Sequence, residues 1–157
     1  MNDIELDDKI FFKAGCLYQT TRDYVCRTKI RPEKEISTYF LTLTVEGLLK
    51  IRRGYAGDGP SGPTKLIARW ISWWPWLKKQ FLKTFMRGAW EHDAKYDLIR
   101  QELLDQKWRK TADSELYDTC REDKMSEFRA DYVYKGVRFG GGPSADPDNQ
   151  KKELSAP

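Results

Sequence analysis

The sequence predicts a single α+β domain in which N-terminal antiparallel strands and a hairpin precede a glycine-rich loop and a packed set of about three helices. Residues 11 to 30 and 36 to 53 are rich in β-branched and aromatic side chains, which is typical of strands. Residues 54 to 63 contain four glycines and two prolines, so this stretch forms a shaped loop. Apolar residues then recur every three or four positions, which indicates helices.

The N-terminal half contains a candidate β-hairpin. Residues 37 to 45 carry many β-branched and aromatic side chains, and the run Leu48-Leu49-Lys50-Ile51-Arg52 follows them. Between the two runs stand Glu46 and Gly47, a pair that favours a tight turn. We therefore expect the two runs to pair as antiparallel strands.

Three helices are expected after the loop. The first has apolar residues on one face, and Pro75 should kink or divide it. The second runs from about residue 84 to residue 104, and the third starts near Thr111 and continues toward Val137. Asp113 would lie in the first turn of the third helix, where a carboxylate interacts favourably with the helix dipole. The apolar positions of the first helix are Leu66, Trp70, Trp73, Leu77 and Phe81.

The chain length of 157 residues lies within the usual size of one domain. Residues 1 to 140 are expected to form that domain, with residues 65 to 84 as a Trp/Lys-rich insertion. The glycine-rich and proline-rich run from residue 140 to residue 147 breaks all periodicity, so residues 141 to 157 are expected to be a mobile, polar tail. The acidic start lacks a secretory signal and no apolar run is long enough to span a bilayer, which favours a cytoplasmic location.

The three cysteines, Cys16, Cys26 and Cys120, lack the close pairing of a zinc ribbon or a redox motif. Free thiols in a reducing compartment are therefore expected. A disulfide between Cys16 and Cys26 is the alternative, if those residues pair across adjacent strands. A zinc site made of the three cysteines and His92 is disfavoured because it would need the only histidine.

Positive charge and tryptophan are concentrated in one segment. The net charge is +4, yet six basic residues and no acidic residue lie between Asp58 and Glu91. The same stretch holds five of the six tryptophans. The rest of the chain therefore carries a net charge of −2. Nucleic acid is disfavoured as a partner, because most of the molecule would repel phosphate.

We call the tryptophan and lysine residues between positions 70 and 79 of this stretch the Trp/Lys segment. Three interpretations of the Trp/Lys segment are open. As an interfacial anchor, its indoles would lie at the headgroup level while its lysines bind an anionic membrane surface. Alternatively, the indoles pack over the hairpin and the lysines face solvent. The third interpretation is a groove for a phage or host protein, since tryptophan is typical of binding hot spots. The residues are Trp70, Trp73, Trp74, Trp76, Lys78 and Lys79.

The strongest candidate for chemistry is His92, which follows the glycine-rich loop and precedes Asp93, Tyr96 and Asp113. A histidine that activates water needs a carboxylate on its second ring nitrogen, and Asp113 is the candidate for that role. Tyr96 lies one helical turn after His92, where its hydroxyl can support a carboxylate. Asp93 points about 100° away from His92 and would face the glycine-rich loop. The competing interpretation is a packed, hydrogen-bonded structural histidine.

Four segments carry a resemblance to a known family. Together they closely resemble an uncharacterised domain family that is common in tailed phages and prophages, over roughly residues 15 to 145. More distantly, a glycine loop followed by HDxxY and a later aspartate is similar to the phospholipase A2 superfamily, which includes the lipase domain of parvovirus capsids. The segments are Tyr55 to Thr64, Phe85 to Tyr96, Trp108 to Asp113 and Tyr134 to Gly141.

The second resemblance implies a calcium-assisted lipid esterase. A calcium ion would be held by Asp93 and by the carbonyl groups of Tyr55, Gly57 and Gly59, since hard cations take oxygen ligands. The bound ion would polarise an ester carbonyl. The sequence departs from the pattern in two ways: Lys65 follows the loop where the phage family has an acidic residue, and the disulfides of secreted phospholipases are absent.

Two functional classes follow from these observations. The first is a phage-encoded lipid esterase of phospholipase A2 type that docks on membrane through the Trp/Lys segment. The second is a non-catalytic phage protein, either a virion component or a host-directed inhibitor, that acts by protein interaction. Both imply the host bacterial cytoplasm, the inner membrane surface or the virion as the location.

Overall fold

The computed structural model describes residues 12–13, 18–57 and 75–149. Within these residues it contains two antiparallel sheets followed by three α-helices, which confirms the predicted α+β class. One sheet has the strand order β1-β2-β7, and the other has the order β3-β6-β5-β4. The strands are β1 (Phe12–Lys13), β2 (Tyr18–Thr20), β3 (Tyr24–Arg27), β4 (Ile36–Ser37), β5 (Leu41–Leu43), β6 (Leu48–Ile51) and β7 (Ala56–Gly57).

The predicted hairpin is confirmed as β5 and β6, which pair from Leu43 opposite Leu49 to Leu41 opposite Ile51. Gly47 in the connecting turn has a φ of +77°, a conformation that favours glycine. A Cβ atom there would also lie 2.5 Å from the carbonyl oxygen of Thr28. The Glu46-Gly47 turn therefore depends on glycine for two separate reasons.

Both long predicted strands are divided in the structure. The expected strand over residues 37 to 45 is interrupted because Thr38 closes a turn, in which its backbone N–H donates to the carbonyl of Leu41 at 2.7 Å. Its hydroxyl also accepts the Leu41 N–H at 3.0 Å. The strands within residues 11 to 30 belong to both sheets, β1 and β2 to one and β3 to the other. Side-chain hydrogen bonding by threonine competes with strand pairing, and a β-propensity pattern does not detect it.

The first described helix, α1, spans Pro75–Arg100, so the predicted range of residues 84 to 104 is wrong at both ends. A proline at the first helical position is favourable because its missing N–H would have no helical partner there. The helix ends because Glu102 takes a φ of 59° and the N–H of Leu103 bonds back to the carbonyl of Leu98 at 3.0 Å. This is a Schellman cap that uses glutamate in place of glycine.

The predicted third helix is two helices, α2 (Arg109–Glu122) and α3 (Glu127–Gly140). Lys124 stands between them with a φ of 68°, and the N–H of Met125 bonds to the carbonyl of Cys120 at 2.9 Å. The apolar periodicity continues across the break because Met125 and Cys120 are both buried in the same core. The sequence pattern therefore could not show that the chain reverses there.

Helix α1 connects two hydrophobic clusters. One of its faces packs on the four-stranded sheet, and Trp90 and Leu98 belong to the same buried cluster as Leu43 and Leu49. Another face meets α2 and α3 through Phe85 and Ala89. The second cluster is completed by Leu116, Cys120, Met125, Ala130 and Val133.

The tail predicted from residue 141 is wrong for residues 141 to 149. Two short 3-10 turns lie there, Pro143–Ala145 and Pro147–Asn149. Ala145 is buried, and its carbonyl accepts a hydrogen bond of 2.6 Å from the Gln106 side chain. A buried alanine and a side-chain hydrogen bond attach this stretch to the domain without any periodic pattern in the sequence.

Cys26 and Cys120 are free, buried thiols, as expected from the sequence. Cys16 lies outside the described residues. Burial raises the pKa of both described thiols, so neither is a reactive thiolate. In the part of the chain that the structure describes, no helix is both long and apolar enough to cross a bilayer.

Candidate functional site

The structure brings His92 of α1 and Asp113 of α2 together, as the sequence predicted. The Nε2 atom of His92 lies 2.8 Å from Oδ1 of Asp113. His92 is 7% exposed and Asp113 is 0% exposed, so the pair is sheltered from water. The predicted position of Asp113 in the first turn of its helix is wrong, because α2 begins at Arg109. Its carboxylate faces side chains of α1 and α3 instead.

Tyr96 joins this pair from the next turn of α1. Its hydroxyl donates a 2.7 Å hydrogen bond to the same Oδ1 atom of Asp113. Its ring also lies against the imidazole of His92, with centroids 4.1 Å apart. The supporting role expected for the Tyr96 hydroxyl is therefore matched by its geometry. One carboxylate oxygen thus orients two side chains of α1.

Two arginines complete the network, and no role was expected for either of them from the sequence. Arg138 of α3 donates from Nη1 to Oδ2 of Asp113 at 2.6 Å. Arg109 donates from Nε to the Tyr96 hydroxyl at 3.1 Å and from Nη2 to the backbone carbonyl of Arg138 at 2.8 Å. The available signal was that a buried aspartate needs cationic partners.

The network sets the charge states of its members. Burial alone would raise the pKa of Asp113, but hydrogen bonds from His92, Arg138 and Tyr96 outweigh it and hold that pKa below 3.8. Burial alone would lower the pKa of His92, but Asp113 and Asp93 outweigh it and raise that pKa above 6.5. Burial and the Asp113 carboxylate both raise the pKa of Tyr96. Asp113 is therefore an anion, and Tyr96 keeps its proton.

The second ring nitrogen of His92 remains for chemistry. Because Asp113 is ionised, it accepts the Nε2 proton, and this assignment leaves Nδ1 as the basic nitrogen of the neutral imidazole. Nδ1 lies 3.9 Å from Oδ1 of Asp93, which is beyond direct hydrogen-bond distance. The arrangement has the elements of a general base: a nitrogen with a lone pair, a fixed tautomer and a carboxylate that stabilises the imidazolium.

The predicted calcium ligands fit the structure only in part. Asp93 follows His92 on α1 and is partly exposed. The carbonyl of Tyr55 accepts a 3.0 Å hydrogen bond from the backbone N–H of Thr20, whereas the hydroxyl of Thr20 donates its one proton to the Arg52 carbonyl at 2.8 Å. Gly57 lies in strand β7, and Gly59 is outside the described residues. Residues 12–13, 18–57 and 75–149 contain no group of three His, Cys, Asp or Glu side chains that could hold a metal.

Half of the residues of the Trp/Lys segment lie outside the described residues. Trp70, Trp73 and Trp74 are not described, whereas Trp76, Lys78 and Lys79 belong to the first turns of α1. The structure describes only the backbone of those three. Binding of membrane or protein by this segment stays a prediction.

Comparison with protein-family models, curated proteins and solved structures found no match for this chain. The site is therefore interpreted from its own geometry.

Proposed function

We propose that this chain is a phage-type lipid esterase in which His92 is the general base, as in the phospholipase A2-like interpretation of the sequence. The observation that carries the proposal is the hydrogen bond between His92 Nε2 and Asp113 Oδ1, with the Tyr96 hydroxyl on the same oxygen. A structural histidine would need one partner. Here three side chains from α1 and α3 fix the carboxylate and leave one imidazole nitrogen for a proton transfer.

The reaction is ester hydrolysis. Nδ1 of His92 takes a proton from a water molecule while the water oxygen forms a bond to the ester carbonyl carbon. Asp113 stabilises the imidazolium that results, and Tyr96 and Arg138 hold Asp113 in place. The bond to the leaving alcohol then breaks, and the proton on Nδ1 passes to that oxygen. The products are a fatty acid and a lysolipid, and His92 is neutral again.

Calcium is part of the proposal as an oxygen-bound ion near Asp93. Asp93 would supply a carboxylate, and Tyr55 and the glycine-rich loop would supply carbonyl groups. Such an ion supplies positive charge for the oxyanion of the ester. The Trp/Lys segment would hold the enzyme on an anionic membrane surface.

The test is release of fatty acid from vesicles of mixed zwitterionic and anionic phospholipid, measured with calcium and with a chelator. We expect release by the wild-type protein and a loss of about 100-fold or more for His92→Gln, since a general base contributes on that scale. Ser114→Ala is the matched control, because Ser114 adjoins Asp113 but bonds only to the Lys110 carbonyl. A folded wild-type protein without release above background in either condition would refute the esterase.

A specific observation also favours the second class, a non-catalytic phage interaction protein. His92 is only 7% exposed, and a buried, hydrogen-bonded histidine is also typical of a structural role. In that case the network around Asp113 only holds three helices together. His92→Gln would then change the melting temperature, and no lipid would be hydrolysed.

A further inference from the structure

Helix α3 carries a row of exposed aromatic side chains, which we call the α3 face. Phe128 is 83% exposed, Tyr132 is 44% exposed and Phe139 is 88% exposed. Their spacings of four and seven residues place them within an arc of about 40° on the helix surface. The same helix buries Ala130 and Val133 against the core. Two phenylalanines exposed together on one face of a helix mark an interaction surface more strongly than scattered apolar residues do.

The charges on the α3 face decide what kind of partner it fits. Asp131 and Lys135 lie along the same face and form an ion pair of 2.6 Å. The pair neutralises the lysine, so the face offers no excess positive charge to an anionic lipid surface. An apolar protein surface that places opposite charges against Asp131 and Lys135 fits the α3 face better than an anionic lipid surface does.

We propose that the α3 face binds the α3 face of a second copy of this chain, with the two helices antiparallel about a twofold axis. In that arrangement Phe128 lies opposite Phe139 of the second copy, and Tyr132 lies opposite Lys135 of the second copy. Asp131 then also lies beside the turn that carries Lys135 of the second copy. A parallel arrangement would place Lys135 against Lys135 and align the two helix dipoles unfavourably. The α3 face is therefore self-complementary only when the helices run in opposite directions.

The area is sufficient for a weak dimer. A covered phenylalanine or tyrosine buries about 150 to 250 Å². Two copies contribute six rings. The four phenylalanine rings among them are each more than four-fifths exposed in the isolated chain. With the stems of the ion-paired residues, the contact reaches roughly 1,000 Å², which is the lower limit for a stable interface. Association is therefore expected at the concentrations of a purified protein.

The interface would stand beside the candidate site. Phe139 follows Arg138, whose guanidinium bonds Asp113, on the same helix. Covering the α3 face would hold α3 against α2 and preserve that contact. The dimer does not depend on the proposed esterase activity, so each can fail without the other.

The first experiment measures mass by sedimentation equilibrium from about 1 to 100 µM, the range in which small interfaces associate. We expect a monomer–dimer equilibrium for the wild-type chain and a monomer for the double variant Phe128→Ser, Phe139→Ser. Tyr39→Ser is the matched control, because Tyr39 is 80% exposed but lies outside α3. A monomeric wild-type chain, or a Tyr39→Ser variant that dissociates equally, would overturn the proposal. Vesicle binding by a monomer that the double variant loses would assign the face to lipid instead.

A second experiment tests the antiparallel register even if the serine variants unfold. An equal mixture of the single variants Phe128→Cys and Phe139→Cys should form covalent mixed dimers on mild oxidation, because the two new thiols face each other while Phe139 of the first variant still faces Phe128 of the second. Phe128→Cys alone should not, since the substituted positions of its two copies lie about 16 Å apart along the helix axis. Equal crosslinking by Phe128→Cys alone would refute the antiparallel register. The absence of crosslinks in the mixture and in the single variant would refute the interface.

Discussion

At the scale of single residues, the domain buries a second polar network that the sequence did not reveal. Lys95 is 1% exposed and its Nζ atom lies 2.7 Å from Glu115 Oε2. Glu91, one turn earlier on α1, accepts a 2.6 Å hydrogen bond from the hydroxyl of Tyr24. Glu115 also accepts a 2.6 Å hydrogen bond from the hydroxyl of Thr28. This Lys95 network therefore joins the four-stranded sheet to α1 and α2.

Removing the cation of the Lys95 network should be costly. Lys95→Met would leave the buried carboxylate of Glu115 without its cation, and we expect a loss of about 3 to 5 kcal/mol in the free energy of unfolding. Lys29→Met is the control, because its ion pair with Asp118 is exposed and is worth no more than about 1 kcal/mol. Urea unfolding of both variants measures the difference. Similar losses would show that the Lys95 network is not electrostatically important.

At the scale of elements, two helices end with a positive φ, a backbone conformation that residues other than glycine rarely adopt. Glu102 after α1 and Lys124 after α2 both have positive φ values, 59° and 68°. Each residue occupies the left-handed position of a Schellman cap, where a side chain costs about 1 kcal/mol or more relative to glycine. The caps persist because the following residues pack: Leu104 and Met125 are both buried.

Glycine at these two caps should stabilise the protein. We expect Glu102→Gly and Lys124→Gly each to increase the free energy of unfolding by about 0.5 to 1 kcal/mol, because relief of backbone strain exceeds the added entropy of the unfolded chain. Lys110→Gly, at an exposed position inside α2, should instead decrease it by about 1 kcal/mol. Thermal melts of the three variants test the sign. A loss of stability at both caps would contradict the assigned backbone conformation.

At the scale of the whole molecule, one carboxylate joins all three described helices. Asp113 on α2 binds His92 and Tyr96 of α1 and Arg138 of α3. Arg109 adds a bond to the α3 backbone through the carbonyl of Arg138. The same group that would orient the general base is therefore also a structural centre of the helical half.

This centre makes stability depend on pH in a defined direction. The pKa of Asp113 is lower in the folded protein than its ordinary value of 3.8, so its contribution is fully present above pH 3.8 and is lost as the pH falls through the folded value. We expect Asp113→Asn to be less stable than wild type by about 2 to 3 kcal/mol at pH 7. That difference should shrink below pH 3.8. Denaturant unfolding across this range measures it.

Asp131→Asn is the control for the acid prediction, because its ion pair with Lys135 is largely exposed. Its stability should follow that of wild type within about 1 kcal/mol at every pH. If the difference in the free energy of unfolding between wild type and Asp113→Asn stays constant as the pH falls, the charge of the Asp113 carboxylate does not stabilise the fold.

The sequence was informative where a local rule decides the outcome. The α+β class followed from strand composition before a glycine-rich loop and helical periodicity after it. The turn at Gly47 followed from turn chemistry, and the pairing of His92 with Asp113 followed from the needs of a water-activating histidine. Each of these features depends on residues whose own chemistry restricts their neighbours.

Tertiary structure alone decided what depends on contacts between distant parts of the chain. The reversal at Lys124, the packing of Ala145 and the roles of Arg109 and Arg138 leave no periodic signal, because each depends on a partner brought near by the fold. Propensity and spacing act over a few residues, whereas a buried carboxylate recruits its cations from any part of the chain. The sequence by itself thus determined the class of fold and the histidine at its centre, and the packing of three helices decided which side chains surround that histidine.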